Sequence, residues 1–301
     1  MKYLVTGAGG YVGNSLIRVL LQQGHFVRGM DNFYRGNCDG LISLADNPSF
    51  EFMRGDVTSK TDVEKALKNV NGVFHLAAIV GNPACVKNEN LSEDVNVIGT
   101  KNIVNSKSRD QRMVFCSTEC VYGNAKDYKE GVVCSPSSLY ARQKYKAEQF
   151  VSNIDNSVSF RFAAAMGLSN LPRLNLLVNT LVYEAITNNA LTIFEQDVMR
   201  NFIAVKDMVR VLIFGMKDLR HKVYNAGNIS WSKKQLSEYI SSKTGCKVFY
   251  GDVKNDPDKR DNILDSSLLH YEGFRYLYDM PETIDSLVKG LSIVNIRHQY
   301  E

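Results

Sequence analysis

The sequence predicts an α/β protein with a doubly wound parallel sheet and a smaller C-terminal lobe. Short apolar segments alternate with helical patterns through the first half of the chain, which is typical of parallel strands joined by helices. A glycine-rich turn joins the first apolar segment to the first helical one. The chain has 301 residues, 44% of them hydrophobic, which is enough for one large domain or two domains in close contact.

The predicted elements follow in order along the chain. Apolar segments predict strands at residues 3–5, 26–30, 50–53, 72–78, 112–117 and 158–162. Periodic segments predict the intervening helices at residues 16–21, 39–45, 61–68, 91–106 and 138–152. Later segments are less regular and predict helices at 174–188 and 231–244 and short strands at 191–194 and 201–205. We expect a Rossmann domain over residues 1–165, to which strands at about 200–225 return, and a lobe over 166–301 that packs on the strand ends.

The first turn has glycines at the spacing Gly7-x-x-Gly10-x-x-Gly13. Residues without a Cβ atom allow a tight turn and a close approach of the backbone to a pyrophosphate. The helix that follows directs unpaired N–H groups and its positive dipole end at the anion. No Gly-Lys-Ser or Gly-Lys-Thr follows, which excludes a P-loop. The turn therefore predicts a dinucleotide site.

The second strand ends in an acidic residue that indicates which dinucleotide binds. Asp31 stands 18 residues after Gly13, close to the ~20 expected for a ribose-binding acid. Its carboxylate accepts hydrogen bonds from a ribose 2′-hydroxyl and repels a 2′-phosphate, so we predict NAD. Arg28 and Arg35 flank this position and could bind a 2′-phosphate, so NADP is the alternative.

A tyrosine and a lysine four residues apart form the candidate catalytic pair. Tyr140 and Lys144 share one face of the predicted helix at 138–152. A nearby ammonium favours the phenolate and lowers the pKa of a tyrosine, which has an ordinary value of about 10. Such a tyrosine can remove a proton from a sugar hydroxyl. One strand earlier, Thr118 follows an apolar strand and could hydrogen-bond the same oxygen.

Together these features resemble the extended short-chain dehydrogenases/reductases, in the group of NAD-dependent sugar-nucleotide epimerases and dehydratases. The resemblance covers nearly the whole chain. It rests on TGAGGYVG at 6–13, DN at 31–32, GDV at 55–57, HLAA at 75–78, NVIGT at 96–100, Thr118 with VYG at 121–123, Tyr140 with Lys144, RNFI at 200–203 and DPDKR at 256–260.

The resemblance implies a role for each matched residue. Tyr140 would be the general base and acid, Lys144 its activator and a ribose ligand, and Thr118 the third catalytic residue. The implied cofactor contacts are Gly7, Gly10, Tyr11, Val12, Gly13, Asp31, Asn32, Arg35, Asp56, Val57, Leu76, Ala77, Ala78, Asn96, Cys116, Phe162 and Ala163. Asn179, Arg200 and Arg260 would contact the diphosphate of a nucleoside-diphosphate sugar. The resemblance also implies a homodimer formed through the helices at 91–106 and 138–152.

The two residues that follow Thr118 do not decide between the possible reaction types. Resembling dehydratases have a carboxylate two residues after the threonine, whereas this chain has Glu119 one residue after it and Cys120 in that second position. We therefore favour a C4 epimerase or C4 dehydrogenase. A 4,6-dehydratase, or a 3,5-epimerase/reductase with Glu119 or Cys120 as an extra acid or base, is the alternative. A dinucleotide-sensing module without turnover is disfavoured, because both Tyr140 and Lys144 are present.

Composition excludes several other classes of partner. The net charge of +4 is modest and does not indicate a nucleic-acid-binding protein. The six cysteines lack metal-ligand spacing and are typical of reduced thiols, so we expect no metal. No apolar run reaches the ~18 residues of a membrane span, and the first predicted strand leaves no room for a signal peptide. We therefore expect a cytoplasmic protein without a membrane partner.

Overall fold

The structure is a computed structural model that describes residues 1–34, 39–125, 127–251 and 263–293. The strands in these ranges are β1 (Lys2–Thr6), β2 (Phe26–Asp31), β3 (Phe50–Arg54), β4 (Gly72–His75), β5 (Arg112–Thr118), β6 (Ser157–Phe162), β7 (Ala164–Met166), β8 (Ala190–Phe194), β9 (Met199–Ala204), β10 (Val223–Ala226), β11 (Ile229–Ser232) and β12 (Lys247–Gly251).

The helices of the same ranges connect and cover these strands. They are α1 (Tyr11–Gln22), α2 (Asp39–Ile42), α3 (Lys60–Leu67), α4 (Asn82–Lys87), α5 (Glu89–Glu93), α6 (Gly99–Ser106), α7 (Leu139–Ser152), α8 (Leu177–Asn188), α9 (Val205–Phe214), α10 (Lys233–Thr244), α11 (Ser267–Tyr271) and α12 (Met280–Ile293). A π-helical turn spans Asp94–Ile98, and a 3₁₀ turn spans Glu119–Tyr122.

Seven strands of the described chain form one parallel sheet in the order β10-β6-β5-β4-β1-β2-β3. The fold class is therefore confirmed. The strand order reverses direction between β1 and β4, and in sheets of this kind ligands bind in the crevice beyond the carboxyl ends of the strands at that point. Thr6, His75 and Thr118 end β1, β4 and β5 at this edge.

The C-terminal part of the described chain builds a second, smaller layer. Two small sheets, in the orders β11-β9-β7 and β12-β8, pack with α8, α10 and α12 around an apolar cluster of their own. Of the later segments expected to return to the first domain, β10 joins the main sheet and α9 packs against α1, whereas β9 lies in a small sheet.

Two predicted helices differ in detail from the structure. The helix predicted at 91–106 is three consecutive helical pieces, α5, the π-helical turn and α6, because one extra residue is accommodated at Asp94–Ile98. The helix predicted to begin at Trp231 begins at Lys233, because the Ser232 side chain accepts a hydrogen bond from Gln235 N and caps it. Trp231 pairs instead with Arg200 between β11 and β9.

Candidate active site

The glycine turn is closed by direct backbone packing. Gly7 has a φ of +70°, and a Cβ atom on it would lie 2.8 Å from Ala77 N. A Cβ atom on Gly13 would lie 2.1 Å from Gly7 O, a distance that a real Cβ never reaches. Gly10 opens α1 as its N-cap residue. The turn thus needs glycine at positions 7 and 13 for the backbone to close at all.

A directed chain of hydrogen bonds ties this turn to β4 and to the π-helical turn. Leu76 N and Ala77 N both donate to Thr6 Oγ1 at 3.2 Å, so the Thr6 hydroxyl donates to His75 Nδ1 at 2.8 Å. At the other end Thr100 donates to Asn96 O, so His75 Nε2 donates to Thr100 Oγ1 at 3.0 Å. Burial, with a smaller effect of the Lys144 charge, lowers the pKa of His75 to about 3. His75 is therefore a neutral structural link.

The acidic groups at the ends of β2 and β3 have acceptor capacity left for a ligand. Asp31 Oδ2 accepts from Gly9 N at 2.9 Å, and Oδ1 accepts from Phe33 N at 2.8 Å. Asn32 Nδ2 donates to Asp56 Oδ2 at 2.8 Å. Partial burial raises the pKa of Asp56, but hydrogen bonds from Thr58 and Asn32 outweigh it, so the net shift is downward. Each carboxylate can accept further hydrogen bonds from a ligand.

The remaining predicted cofactor contacts line the same edge, and their roles stay predictions. Leu76, Ala77 and Ala78 are partly buried directly beyond β4, and Val57 is buried after β3. Tyr11 and Val12 begin α1. Phe162 and Ala163 end β6 and continue beyond it, and Cys116 lies on β5. Arg35 and Arg260, predicted to contact cofactor and substrate, lie outside the described residues.

Asn96 has a different environment from that of the other predicted contacts. It is buried in the π-helical turn, where its Oδ1 accepts from Ile79 N at 2.8 Å. Both hydrogens of Nδ2 are used, on Ile79 O and on Gln143 Oε1, each at 3.0 Å. The side chain therefore joins the segment after β4 to α7.

These residues fit a bound NAD. The glycine turn leaves no side chain between its backbone and a pyrophosphate, and Asp31 keeps acceptor capacity at the ribose position. Gly7, Gly10, Gly13 and Asp31 would hold the dinucleotide, with Asp56 at the adenine end. When bound, NAD supplies a hydride acceptor.

The catalytic residues predicted from sequence lie on α7 and at the carboxyl end of β5, two elements that pack against each other. Tyr140 and Lys144 lie one turn apart on α7, which begins at Leu139 with the Ser138 side chain accepting from Ala141 N. Lys144 is buried, Tyr140 is partly buried, and the Lys144 ammonium lies 4.1 Å from the centre of the Phe115 ring. Thr118 ends β5, and its hydroxyl accepts from Cys120 N at 3.3 Å.

Burial dominates the titration of the catalytic pair. It lowers the pKa of Lys144 to about 8, against smaller opposing effects of Cys116, Glu148 and Cys85. It raises the pKa of Tyr140 well above the ordinary value. The expectation that the pKa of Tyr140 is lowered is therefore wrong for the cofactor-free protein, because desolvation outweighs nearby positive charge. Perturbed groups of this kind cluster at functional sites.

The two residues that left the reaction open occupy the 3₁₀ turn after β5. Glu119 Oε2 accepts from Asn201 Nδ2 at 3.1 Å, which joins this turn to β9. Cys120 is partly buried, and its negative charge, when present, raises the pKa of Tyr140. The charge of Cys120 thus acts on the Tyr140 hydroxyl, whereas the Glu119 side chain is hydrogen-bonded to the small sheet.

A buried ion pair that the sequence analysis missed fastens α7 to the sheet. Glu148, four residues after Lys144, accepts from Arg161 Nη2 at 2.6 Å and from Arg161 Nε at 3.1 and 3.2 Å. The Ser117 hydroxyl donates to Glu148 Oε2 at 2.6 Å. The side chains of Arg161 and Glu148 are 6% and 3% exposed. The ion pair therefore fixes α7 against β5 and β6, beside Thr118. No local pattern in the sequence signals this ion pair, because its two residues lie on different elements.

The predicted substrate contacts differ in how their side chains are held. Asn179 on α8 is buried, and its amide bonds the backbone of Gly167 and Arg173. Arg200 on β9 is partly buried, and its Nη1 donates to Met199 O at 3.2 Å. Arg173 was not predicted, yet its charge acts on the hydroxyls of both Tyr11 and Tyr140. Substrate binding by Asn179 and Arg200 stays a prediction.

The sheet is doubly wound, a glycine turn lies at the point where its strand order reverses, and a helix with a tyrosine–lysine pair packs beside it. These features are typical of NAD-binding enzymes of the short-chain dehydrogenase type. The family described as "NAD dependent epimerase/dehydratase family" matches residues 3–227. The chain belongs to this family. The match confirms the resemblance inferred from sequence, and with it NAD as the family's cofactor.

Individual relatives and solved structures agree with this assignment. UDP-glucuronic acid decarboxylase 1 of Arabidopsis thaliana is 27% identical over 278 residues, which cover 86% of this chain and 63% of that protein. UDP-glucose 4-epimerase of Lactobacillus helveticus is 25% identical over 281 residues, covering 83% and 84%. The crystal structure of UDP-glucuronic acid 4-epimerase from Bacillus cereus, in complex with UDP-glucuronic acid and NAD, has a TM-score of 0.86 at 23% identity and covers 97% of this chain and 99% of that one. This likeness shows a shared fold. The chain thus spans less than two thirds of the plant decarboxylase and nearly all of the bacterial structure.

Proposed function

We propose that the protein oxidises C4 of a nucleoside-diphosphate sugar with NAD and acts as an epimerase or a C4 dehydrogenase. The observation that carries this proposal is the packing of α7, which carries Tyr140 and Lys144, on β5, which ends at Thr118; the Lys144 ammonium lies 4.1 Å from the centre of the Phe115 ring on that strand. The similarity to enzymes named for UDP-sugars supports a nucleotide-linked sugar as the substrate.

Each side chain of the site has a separate role in the proposed reaction. Tyr140, as phenolate, removes the proton of the C4 hydroxyl while the C4 hydrogen leaves as hydride, and the C4–O bond becomes a carbonyl. Thr118 hydrogen-bonds the same oxygen and orients it. Lys144 supplies a buried positive charge one turn from Tyr140, which favours the phenolate. The reverse transfer gives the proton back from Tyr140.

The choice among reactions depends on the neighbourhood of the keto sugar. An epimerase needs room for the sugar to turn over and no further acid or base. Small residues line the exit from β6, where Ala163 is followed by Ala164 and Ala165, and Ala164 is exposed. This observation favours epimerisation.

A second candidate reaction is favoured by the position of Cys120. Cys120 lies in the 3₁₀ turn directly after β5, and this turn packs against α7, so we infer that its thiol could exchange protons on carbons beside a C4 carbonyl. This would make the protein a 3,5-epimerase or epimerase-reductase. A 4,6-dehydratase would instead need Glu119, which Asn201 holds toward β9.

The partners and the cell compartment follow from the same proposal. Arg200, Asn179 and Arg260 would bind the substrate diphosphate. Two protomers would pair through the helical segments at 91–106 and 138–152, and Ile98 in the first of them is 41% exposed; sedimentation equilibrium tests this. Among the described residues, no helix has the length and apolarity needed to cross a membrane. Five cysteines of the described chain are free thiols, which supports a reducing, cytoplasmic location. We keep as the domain assignment a first domain over residues 1–165, to which later strands at about 200–225 return, and a second lobe formed mostly by residues 166–301.

Product analysis in D₂O separates the candidate reactions. The purified protein is incubated with NAD and a panel of UDP-, GDP-, CDP- and TDP-hexoses, and products are analysed by NMR. A C4 epimerase gives an inverted C4 centre without deuterium on carbon, and a C4 dehydrogenase gives stoichiometric NADH. Deuterium at C3 or C5 would indicate the Cys120 reaction, and a 4-keto-6-deoxy product would indicate dehydration. Absence of any turnover would refute the proposed function.

A further inference from the structure

The Lys144 ammonium is buried against an aromatic ring. Lys144 is 3% exposed, and its Nζ lies 4.1 Å from the centre of the Phe115 ring. Among the residues that the structure describes, no oxygen accepts a hydrogen bond from this ammonium. Glu148, one turn further along α7, is bonded to Arg161 and Ser117. The face of the Phe115 ring is therefore the contact that offsets the burial of the Lys144 charge.

The Phe115 ring is held on the sheet by its neighbour on β4. Phe115 is fully buried and is the register partner of His75, so both side chains lie on the same face of the sheet. The two rings stack with their centres 5.7 Å apart and their planes 27° apart. Both ring nitrogens of His75 are hydrogen-bonded, one to Thr6 and the other to Thr100. The stacked His75 therefore keeps the Phe115 ring in place.

The titratable groups around Lys144 supply little negative charge. Burial raises the pKa of the Cys116 thiol on β5 to about 11 and also raises that of Cys85 on α4, so both thiols are neutral at pH 7. Of the groups that raise the pKa of Lys144, only Glu148 is a carboxylate, and Arg161 on β6 pairs with it. The other titratable groups of the surrounding elements are His75 on β4, Cys120 in the 3₁₀ turn, Tyr140 on α7, and Glu93 on α5, which pairs with Lys146. Ionic partners alone thus compensate the buried ammonium poorly.

We propose that Phe115 is a positioning residue for the reaction: its ring holds the buried Lys144 ammonium by a cation–π contact, one helical turn from Tyr140. The catalytic consequence rests on the proposed function, since that function makes Lys144 the activator of Tyr140, whereas the contact itself does not. An aliphatic side chain would fill the same space without the negative charge that an aromatic ring presents on its face. The electronic character of the ring therefore separates this role from simple packing.

The first test uses the cofactor-free protein and changes only the electronic character of the ring. Phenylalanine analogues with one, two or three fluorine atoms are placed at position 115, which withdraws charge from the ring face and nearly keeps its shape. The pKa of Lys144 is followed by NMR of ¹³C-labelled lysine, and its resonance is identified by its loss in Lys144→Met. Because a weaker ring face stabilises the ammonium less, the pKa of Lys144 should fall with each fluorine, by about one unit for three.

The matched control is the same series of analogues at Phe74. This ring is fully buried on β4, and among the described residues no cation lies over it. Fluorination there should leave the pKa of Lys144 unchanged. An unchanged pKa in the series at position 115, or an equal fall in the series at position 74, would overturn the proposal. Denaturant unfolding checks that each protein is folded, and the first member of the series still gives a slope where heavier substitution unfolds the chain.

The second test measures the consequence for turnover through the pH profile of kcat/KM. At pH 6 Lys144 is charged in the wild-type protein and in the trifluorinated one, so their activities should agree. At pH 8 a fall of one unit from a pKa of about 8 leaves far less ammonium, and activity should drop about fivefold. A loss of the same size at every pH would indicate damaged packing and would refute the positioning role. A wild-type protein without turnover would refute the proposed function, and the NMR titration would still decide the contact.

Discussion

The glycine turn and the catalytic helix lie at the same edge of the sheet, yet different forces hold them. At the turn, backbone atoms pack on backbone atoms, and a Cβ on Gly13 would lie 2.1 Å from Gly7 O. On α7, the buried Lys144 and the Glu148–Arg161 ion pair place charge in the interior. From this comparison we expect the glycine turn to be sensitive to added volume and α7 to be sensitive to changes of charge and proton position.

Removing the catalytic hydroxyl should have the largest effect. Tyr140→Phe should lower kcat about 10³-fold, within the range of general acid–base catalysis, because it removes the proposed acceptor of the C4 proton. The affinity for NAD, measured by calorimetry, should change less than about threefold. Tyr145→Phe, on the same helix, is the matched control and should keep its activity. Turnover in Tyr140→Phe near the wild-type rate would contradict the assignment of the base.

Neutralising Glu148 tests the charge side of the comparison. Glu148→Gln leaves the buried Arg161 without its counter-charge and should lower the free energy of unfolding by about 3 kcal/mol. The control is Glu93→Gln, which breaks the Glu93–Lys146 pair between side chains 39% and 55% exposed and should cost under about 1 kcal/mol. Denaturant unfolding measures both. Equal losses in the free energy of unfolding would show that the buried ion pair stabilises the fold no more than the exposed one.

Adding a methyl group at Gly13 tests whether the glycine turn is sensitive to added volume. Gly13→Ala should weaken NAD binding about 100-fold, because the turn must open to avoid the Gly7 carbonyl. A Cβ atom on Gly131 would meet nothing within 4 Å, and the φ of Gly131 is not positive, so Gly131→Ala is the control and should bind NAD normally. Calorimetric titration with NAD measures both; tight binding by Gly13→Ala would mean that the turn is more plastic than its packing indicates.

The smallest expected effect concerns the pH dependence of stability. The pKa of Lys144 is lowered to about 8 in the folded protein, below its unfolded value of about 10.4. The unfolded state therefore binds more protons between these values, and this group adds stability as pH rises from 8 to 10. Lys144→Met should thus be more stable than wild type by ~2 kcal/mol at pH 7, with the gap closing by pH 10. Lys146→Met, on the exposed face, should show no such trend in thermal unfolding across pH.

The two regions also differ in how far the sequence predicted them. The strand–turn–helix at residues 2–22 and the parallel sheet were predictable because glycine spacing and apolar periodicity encode backbone geometry directly. The pairing of Tyr140 with Lys144 was predictable for a similar reason, since i and i+4 fix a shared helix face.

The remaining contacts depend on tertiary packing that no local pattern reveals. Glu148 meets Arg161 only because α7 packs against β6, and the Tyr11 hydroxyl meets Gly167 O only because a loop of the C-terminal lobe packs against α1. The sequence analysis predicted the wrong direction for the pKa shift of Tyr140 for the same reason. Desolvation depends on all the groups that surround the hydroxyl, not only on its neighbours along one helix.

The path of the chain between β6 and β10 has a consequence for how the protein can be divided. The polypeptide leaves the large sheet at Phe162, builds part of the small layer, and returns at Val223 to supply the edge strand, where Tyr224 is fully enclosed. The segment matched by the family ends at residue 227, directly after that strand. The NAD-binding half is therefore discontinuous in sequence. A gene fragment that stops at residue 165 would lack β10 and leave β6 as an unpaired edge strand, which exposes backbone groups that promote aggregation.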